Sequence, residues 1–415
     1  MEKQYSDGLD YPKELDNNDR LGHFRQRFFL KKGVIYMCGN SLGLASKDAE
    51  AIILILLDKW KDHGVKIWNV DNGKYYMYSE CLAKLMAPLV GAEKDEIAFA
   101  GSTTTNIHQA VSTLYKPTKD RYKILVDDIN FPTVHTDRYA IDSQVRLKGY
   151  DPKDAVKVVK SVEGKFLNED QVIEAMTEDV VLILLPTVYY RTAQVVDMAK
   201  ITAAAKKRGI IIGWDLSHAV GAVEVDLKSL DADFAVWCTY KYLNGGPGAT
   251  SALYVNRRHF QKVPGLAGWF GNRHETQFLL RQEFDHQPDA SGWQIGTPSL
   301  LAMAGLEASL TMFNGYLMYL IEKKLVEHGF TIGNNKEDSK RGGHVCLEHD
   351  EGYRISLALK ARGVVPDFRD PNVIRLTPTA LYTSYAEVYN VVDILLDIIK
   401  TESYKQFSVK RNLVV

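Results

Sequence analysis

Asp215 and His218 close the apolar run "GIIIGWDLSH", and Tyr240 and Lys241 close a second, "DFAVWCTYK". Charged groups at the tips of otherwise buried strands are costly to desolvate unless something charged meets them there. A third stretch, "GSTTTNIHQAV", passes from a small, hydroxyl-rich turn straight into a helical pattern. Thr103 and Thr104 therefore stand where free N–H groups and the helix dipole favour a phosphate. Each feature taken alone has an ordinary structural reading: a threonine cap, a strand-end turn former, a solvated lysine in a glycine-rich loop. Taken together they are the three parts a pyridoxal phosphate site needs. The lysine bonds the aldehyde carbon, the acid keeps the ring nitrogen protonated so that the ring accepts electrons, and the helix start takes the phosphate.

Other chemistries find less support. "NGGPGAT" lacks the GK[ST] ending of a P-loop and does not match the dinucleotide fingerprint. The histidines show no HExxH or i, i+4 ligand spacing, so no metal is expected. "CGNSLGL" and "FPTVHTDRY" contain no nucleophile elbow. Trp269, Phe270 and Trp293 read first as core or interface, although "GWFG" between glycines suggests an exposed loop.

The elements that must position these residues follow from periodicity. "EIAFA", "YKILVD", "VVLILLP", "GIIIGWD" and "DFAVWCTY" read as strands, with "NIHQAVSTLY", "NEDQVIEAMTED" and "DMAKITAAAKKRG" as helices between them. The uninterrupted apolarity of "VVLILLP" and "GIIIG" predicts strands covered on both faces. A mostly parallel α/β sheet is expected, and such sheets bind ligands outside the carboxyl ends of their strands. Gly209, after Lys206, Lys207 and Arg208, supplies the expected basic last turn and glycine stop. Near the C-terminus, Ser384 and Glu387 stand at capping-box spacing before Val388, Val391, Val392, Leu395 and Ile399. The division expected is an N-terminal segment, 1–60, joining a small α+β domain, 306–415, with a large cofactor-binding domain, 61–305, between them.

Composition limits the setting. The 415 residues are 46% hydrophobic and 25% charged, ordinary values for a soluble globular protein, and no stretch reaches the apolar length of a membrane span. A net charge of -1 provides no basic field for nucleic acid or anionic lipid, so neither is an expected partner. Cys38, Cys81, Cys238 and Cys346 show no paired spacing, and the polar, acidic start lacks a signal-peptide pattern. Reduced cysteines in a cytoplasm are the expectation.

"MCGNSLGL", "TTTNIH", "FPT" with "DRYAIDSQ", "WDLSHAVG", "CTYKYLNGGPG", "GWFG", "WQIGTP" and "PNVIRLTP" occur in this order over nearly the whole chain. With these segments the sequence resembles the kynureninase family of pyridoxal-phosphate enzymes. The resemblance implies an aspartate aminotransferase-like large domain of fold type I. It also implies a homodimer with its active site at the subunit interface, and a small amino-acid substrate. The implied reaction splits L-kynurenine, or its 3-hydroxy form, with water into an anthranilate and L-alanine. In it, Lys241 carries the cofactor and moves the α-proton, Asp215 partners the pyridine nitrogen, and His218 neighbours the ring. Phe131 stacks on the ring, and Thr103, Thr104, Tyr240 and Trp269 complete the cofactor pocket. Thr297 reaches in from the other subunit. Arg375 grips the substrate carboxylate, a geometry that suits a guanidinium. Asn40 and Trp68 are its companions on the substrate side, and Tyr240 assists proton transfer or a developing oxyanion.

The departures from the family pattern cluster near the substrate. After "FPT" the family continues with an aspartate, whereas "VHT" intervenes here before Asp137, the candidate for that place. Pro186 and Thr187 replace a small residue and a glycine, and Arg191 replaces an aromatic residue. Trp68 stands in place of a histidine, and "MFNGYLMYL" is shortened between Phe313 and Gly315. Arg191 reads as a surface ion pair in preference to a contact for a second acidic group on the substrate. Two alternatives stay open at this level: a relative acting on a different amino acid, and a non-catalytic binding protein of the same fold.

Overall fold

A computed structural model describes residues 10–19, 21–129, 136–316, 331–332, 344–379 and 381–409, with the backbone alone at 136, 311–316 and 331–332. A short strand, β1 (Ile35–Tyr36), precedes the main sheet. Among the described residues that sheet has seven strands: β2 (Ile97–Phe99), β3 (Lys123–Asp127), β4 (Val156–Val159), β5 (Val180–Pro186), β6 (Ile211–Asp215), β7 (Phe234–Trp237) and β8 (Ala252–Val255). Their spatial order is β2-β8-β7-β6-β5-β3-β4. β8 runs antiparallel to β2 and β7, and the other neighbouring pairs are parallel.

Alternate residues of these strands belong to two separate apolar clusters. Ile124, Val126, Leu182, Leu184, Phe234 and Val236 face one side, where helices Thr103–Leu114 and Thr136–Leu147 contribute Ile107, Val111, Ile141 and Val145. Leu125, Ile183, Leu185, Ile212, Trp214 and Trp237 face the other, against Leu82 and Met86 of helix Tyr78–Met86 and Ile201 of helix Met198–Lys207. Burial on both faces is why these strands carry no polar alternation. Each large apolar side chain so enclosed contributes roughly 1.5–3 kcal/mol.

All five anticipated strands are present. β4, β8 and helix Thr136–Leu147 were not anticipated from periodicity; β4 is four residues long and only half-buried at Lys157 and Val158. The helix expected over "NEDQVIEAMTED" is confined to Glu169–Glu174, capped by Asn168, whose side chain accepts from the N–H groups of Asp170 and Gln171. Helix Met198–Lys207 ends as expected, with Gly209 at φ +60°.

Beyond the main sheet the chain forms β9 (Thr331–Ile332), β10 (Val345–Glu348), β11 (Val364–Val365), β12 (Asp367–Arg369) and β13 (Val373–Leu376). β12, β13, β10 and β9 make an antiparallel sheet in that order. Helices Gly352–Ala361 and Tyr385–Lys400 share an apolar cluster with it, including Ile355, Leu359, Ile374 and Leu395. The capping box at Ser384 and Glu387 forms with both bonds in place. The buried stripe of that helix is Val391, Leu395 and Ile398; Val392, expected on it, is 41% exposed.

N-terminal residues close onto this part of the chain. β1 pairs in parallel with β11. The Asp16 carboxylate accepts from the N–H groups of Tyr385 and Ala386 at 2.5 and 3.0 Å, a favourable charge at a helix N-terminus. Phe131 lies outside the described residues. At the shortened "MFNGYLMYL" segment, helix Leu300–Tyr316 is described and the residues after Tyr316 are not.

Candidate active site

β2 and β7 are both antiparallel to β8, and β6 is parallel to β7, so β2, β6 and β7 end at the same edge of the sheet. Thr103 and Thr104 open the helix after β2, Lys241 lies four residues beyond β7, and Asp215 is the last residue of β6. β8 starts from this edge, and Ser251 just before it places its Oγ 3.1 Å from Thr103 Oγ1. At about 4.8 Å between strands, helix start, lysine and acid follow one another across roughly 15 Å. The lysine lies between the helix start and the acid.

Each group is held locally. Asp215 Oδ1 accepts from the N–H of Ser217 at 2.9 Å, and its carbonyl accepts from the N–H of Thr187 at 2.9 Å. Lys241 Nζ lies 2.9 Å from His218 Nε2. Burial, reinforced by Lys241 and Arg375, pushes His218 well below the ordinary imidazole range, so its ring is neutral. The Cys238 thiol beside Tyr240, together with burial, raises the Tyr240 phenol, which stays protonated near neutrality. The "CGNSLGL" turn braces this loop. Gly43 donates its N–H to the Tyr240 carbonyl at 2.8 Å, and a Cβ at Gly43 would come within 2.5 Å of the Lys241 carbonyl oxygen. Only glycine permits that approach.

The donors fit pyridoxal phosphate. Ser102 Oγ caps the N–H of Thr105 at 3.2 Å, while the N–H groups of Thr103 and Thr104 find no acceptor among the described residues. That leaves a helix start with donors free for an anion. His218 Nδ1 is enclosed without a hydrogen-bond partner among the described residues. A ligand carrying a phosphate, an aldehyde and a ring nitrogen matches these three positions.

The substrate-side candidates divide into two groups. Arg375 on β13 is fully buried, its Nε 2.6 Å from Asp367 Oδ2 and its Nη1 3.1 Å from the Tyr190 carbonyl oxygen. Asn40 is also buried; its Oδ1 accepts from Thr377 Oγ1 at 2.6 Å, and its Nδ2 has no partner among the described residues. The pairing of Cys38 with Thr377 brings this turn beside β13. By contrast, Trp68 rests half-buried against a cluster with Leu56, Ile67, Tyr75 and Ala304. Trp269 is 51% exposed, and its ring contacts are Phe270 and Phe278. Thr297 is exposed as well. Gly268 packs so closely on the Ile295 carbonyl that a Cβ there would lie 1.9 Å from its oxygen, which joins the "GWFG" and "WQIGTP" loops. Among the described residues no hydrogen bond or ring contact links Trp68, Trp269 or Thr297 to Lys241 within one chain.

Asp137 is buried in the first turn of helix Thr136–Leu147. Pro186 ends β5 in register with Asp215. The ion pair expected for Arg191 does not form among the described residues. Its Nη1 is 3.5 Å from the Gly164 carbonyl oxygen. Sequence reasoning missed Asp367, Tyr190, Tyr242, His344 and Ser251. Only Asp367 carried a local signal: it faces Arg375 directly across the β12–β13 hairpin.

Comparisons with known proteins agree with this arrangement. Residues 75–328 match the aminotransferase class-V family, and residues 306–395 match the kynureninase C-terminal domain. A kynureninase of Bacillus cereus is 49% identical, covering 98% of this chain and 97% of the relative. The chain belongs to the kynureninase family. A kynureninase of Geobacillus thermodenitrificans is 48% identical, covering 98% of each chain. Among solved structures, the apo cysteine desulfurase of Thermococcus onnurineus superposes with a TM-score of 0.73 at 17% identity, covering 93% of this chain and 98% of that one. A C-DES mutant with glycine covalently linked to its PLP cofactor gives 0.72 at 14% identity, covering 89% and 98%. At these identities the structural matches show the fold, which is that of fold type I.

The buried histidines of this kynureninase-family site make stability depend on pH. His344, buried and close to Arg375, is pushed down to about 3, and His218 also lies well below 6.5. Below about pH 6.5 the unfolded chain binds protons that the folded chain refuses, so stability falls from pH 6.5 towards about 3. The expected slope is up to about 1.4 kcal/mol per pH unit for each histidine. Urea midpoints between pH 7.5 and 5 measure it. His344→Asn should flatten the dependence, and an unchanged slope would remove His344 from the account.

Proposed function

We propose that this chain uses pyridoxal 5′-phosphate to cleave L-kynurenine or 3-hydroxykynurenine hydrolytically, giving an anthranilate and L-alanine in tryptophan breakdown. The observation that carries the reading is the convergence of Lys241, His218 and Asp215 at one sheet edge in a chain 49% identical to a kynureninase. When bound, the cofactor supplies an electron sink for the bonds at the substrate's α-carbon.

The chain's own residues do the rest. Asp215 holds a proton on the ring nitrogen. Neutral His218 orients Lys241 Nζ, which takes the α-proton and delivers it elsewhere on the substrate. Water adds to the side-chain carbonyl, and Tyr240, still a phenol near neutral pH, donates to the oxyanion that develops there. Arg375 and Asn40 Nδ2 hold the amino-acid end. Thr103 and Thr104 receive the phosphate, and Phe131, Asp137, Trp68 and Trp269 complete the pocket.

Two chains form the working unit in this reading, with Thr297 and Trp269 serving the neighbouring subunit. Support comes from their exposure. Sedimentation at assay concentration should give a dimer; a cofactor-loaded monomer with full activity would sink this part. Residues 61–305 are assigned to the cofactor-binding domain, 306–415 to the small domain, and 1–60 to a segment joining the latter. Among the described residues no helix is long and apolar enough to cross a membrane. A cytoplasmic location completes the proposal.

The test is to incubate cofactor-loaded protein with L-kynurenine and with 3-hydroxykynurenine and to measure alanine release. Alanine from either supports the reading. A lysine-dependent visible band without alanine would mean a different amino-acid substrate, and Arg191, which forms no ion pair among the described residues, would then be the first residue to examine.

A further inference from the structure

His344 lies just before β10, is 1% exposed, and makes two hydrogen bonds to the part of the chain that carries Lys241. Its Nε2 is 3.0 Å from the Tyr190 carbonyl oxygen, and its Nδ1 is 2.9 Å from Tyr242 Oη. A carbonyl only accepts, so Nε2 carries the hydrogen and Nδ1 presents a lone pair to the Tyr242 hydroxyl. The tautomer is therefore fixed. Burial and the nearby cations of Arg375 and Lys241 keep the ring neutral through the working pH range.

Each bond leads to a different half of the site. The Tyr190 carbonyl that His344 engages also accepts from Arg375 Nη1 at 3.1 Å, so one bond helps set the guanidinium. On the other side, the His344 ring lies 5.5 Å from the His218 ring, and Tyr242 packs edge-on to His218 at 6.4 Å. His218 in turn meets Lys241 Nζ at 2.9 Å. We propose that His344 is a positioning residue whose Nε2 bond holds Arg375 for the substrate carboxylate and whose Nδ1 bond holds His218 and Lys241 for proton transfer. The proposal rests on the roles given above to Lys241 and Arg375.

Two substitutions separate the halves. In His344→Gln the side-chain amide replaces Nε2, keeping the donor to Tyr190 and losing the acceptor for Tyr242. His344→Asn does the reverse, its carbonyl oxygen replacing Nδ1. One hydrogen bond at an enclosed site corresponds to roughly tenfold. His344→Gln should lower kcat about tenfold with KM within about twofold, and His344→Asn should raise KM about tenfold with kcat nearly unchanged. Tyr242→Phe should reproduce the glutamine variant's loss and add nothing to it in the double variant.

A second readout does not depend on the substrate. In cofactor-loaded protein the midpoint of the visible band's pH titration should move in His344→Gln and Tyr242→Phe and stay put in His344→Asn. If native protein leaves both kynurenines intact, the substrate reading fails and this titration alone decides the role of His344. Equal losses in kcat and KM for both variants, or unmoved titrations in variants with native circular dichroism, would overturn the proposal.

Discussion

Lys241→Ala is expected to leave a folded protein that has no visible band beyond free cofactor and releases alanine at least about 10³-fold more slowly than native. The argument is one of place and chemistry. The lysine stands between the helix start proposed for the phosphate and Asp215, with His218 Nε2 2.9 Å from its Nζ. No other amine among the described residues hydrogen-bonds to this histidine. His218 cannot stand in, because a neutral, enclosed imidazole held well below its ordinary pKa is a poor proton acceptor. Lys241→Arg sharpens the test. It keeps a cation beside His218 but never deprotonates, so it should be as inactive as alanine. Folding should survive in the alanine variant, since a neutral His218 loses one hydrogen-bond partner, a cost of about 1–3 kcal/mol. Circular dichroism and rapid-quench assays check both halves of the expectation. Turnover within tenfold of native in the alanine variant would sink the assigned role.

The placement of the residues proposed for the cofactor was legible because its signals are local. Asp215, Tyr240 and Lys241 each sit at or just past the end of an apolar run, and Thr103 opens a helix after a turn, so strand ends and helix starts could be read from short windows. The double-sided burial of β5 and β6 was legible for the same reason. What stayed hidden is long-range. His344 meets Tyr242 and Tyr190 from 102 and 154 residues away, and Arg375 meets the Tyr190 carbonyl across 185. Nothing local marks such partners. Arg191 shows the opposite failure: a cation read as lying at the surface invites an ion-pair reading, yet on the hairpin closed by Val188 and Val195 it forms no ion pair among the described residues and meets the Gly164 carbonyl oxygen instead.

Arg375→Met should raise KM for the amino-acid substrate by roughly 10–100-fold while lowering kcat much less. Three of its five N–H groups are already committed: Nε and one on Nη2 to Asp367 Oδ2, and one on Nη1 to the Tyr190 carbonyl. One N–H remains on each terminal nitrogen, the pair that a carboxylate engages bidentately. The same commitment makes the residue structural. Arg375 and Asp367 are each 1% exposed, and breaking a buried pair by removing one partner costs about 3–5 kcal/mol. Arg369, whose Nη1 lies 2.7 Å from Asp367 Oδ1, offsets part of that loss. Stability and binding can then be separated. Adding Asp367→Asn to Arg375→Met replaces a half-paired buried carboxylate with a neutral amide, so the thermal midpoint should recover, whereas KM should not. If KM recovered along with stability, Arg375 would only hold the β12–β13 hairpin in place, and the substrate carboxylate would have to be gripped elsewhere. If KM stays high in a protein that melts like native, Arg375 binds the substrate directly and Asp367 serves to aim it.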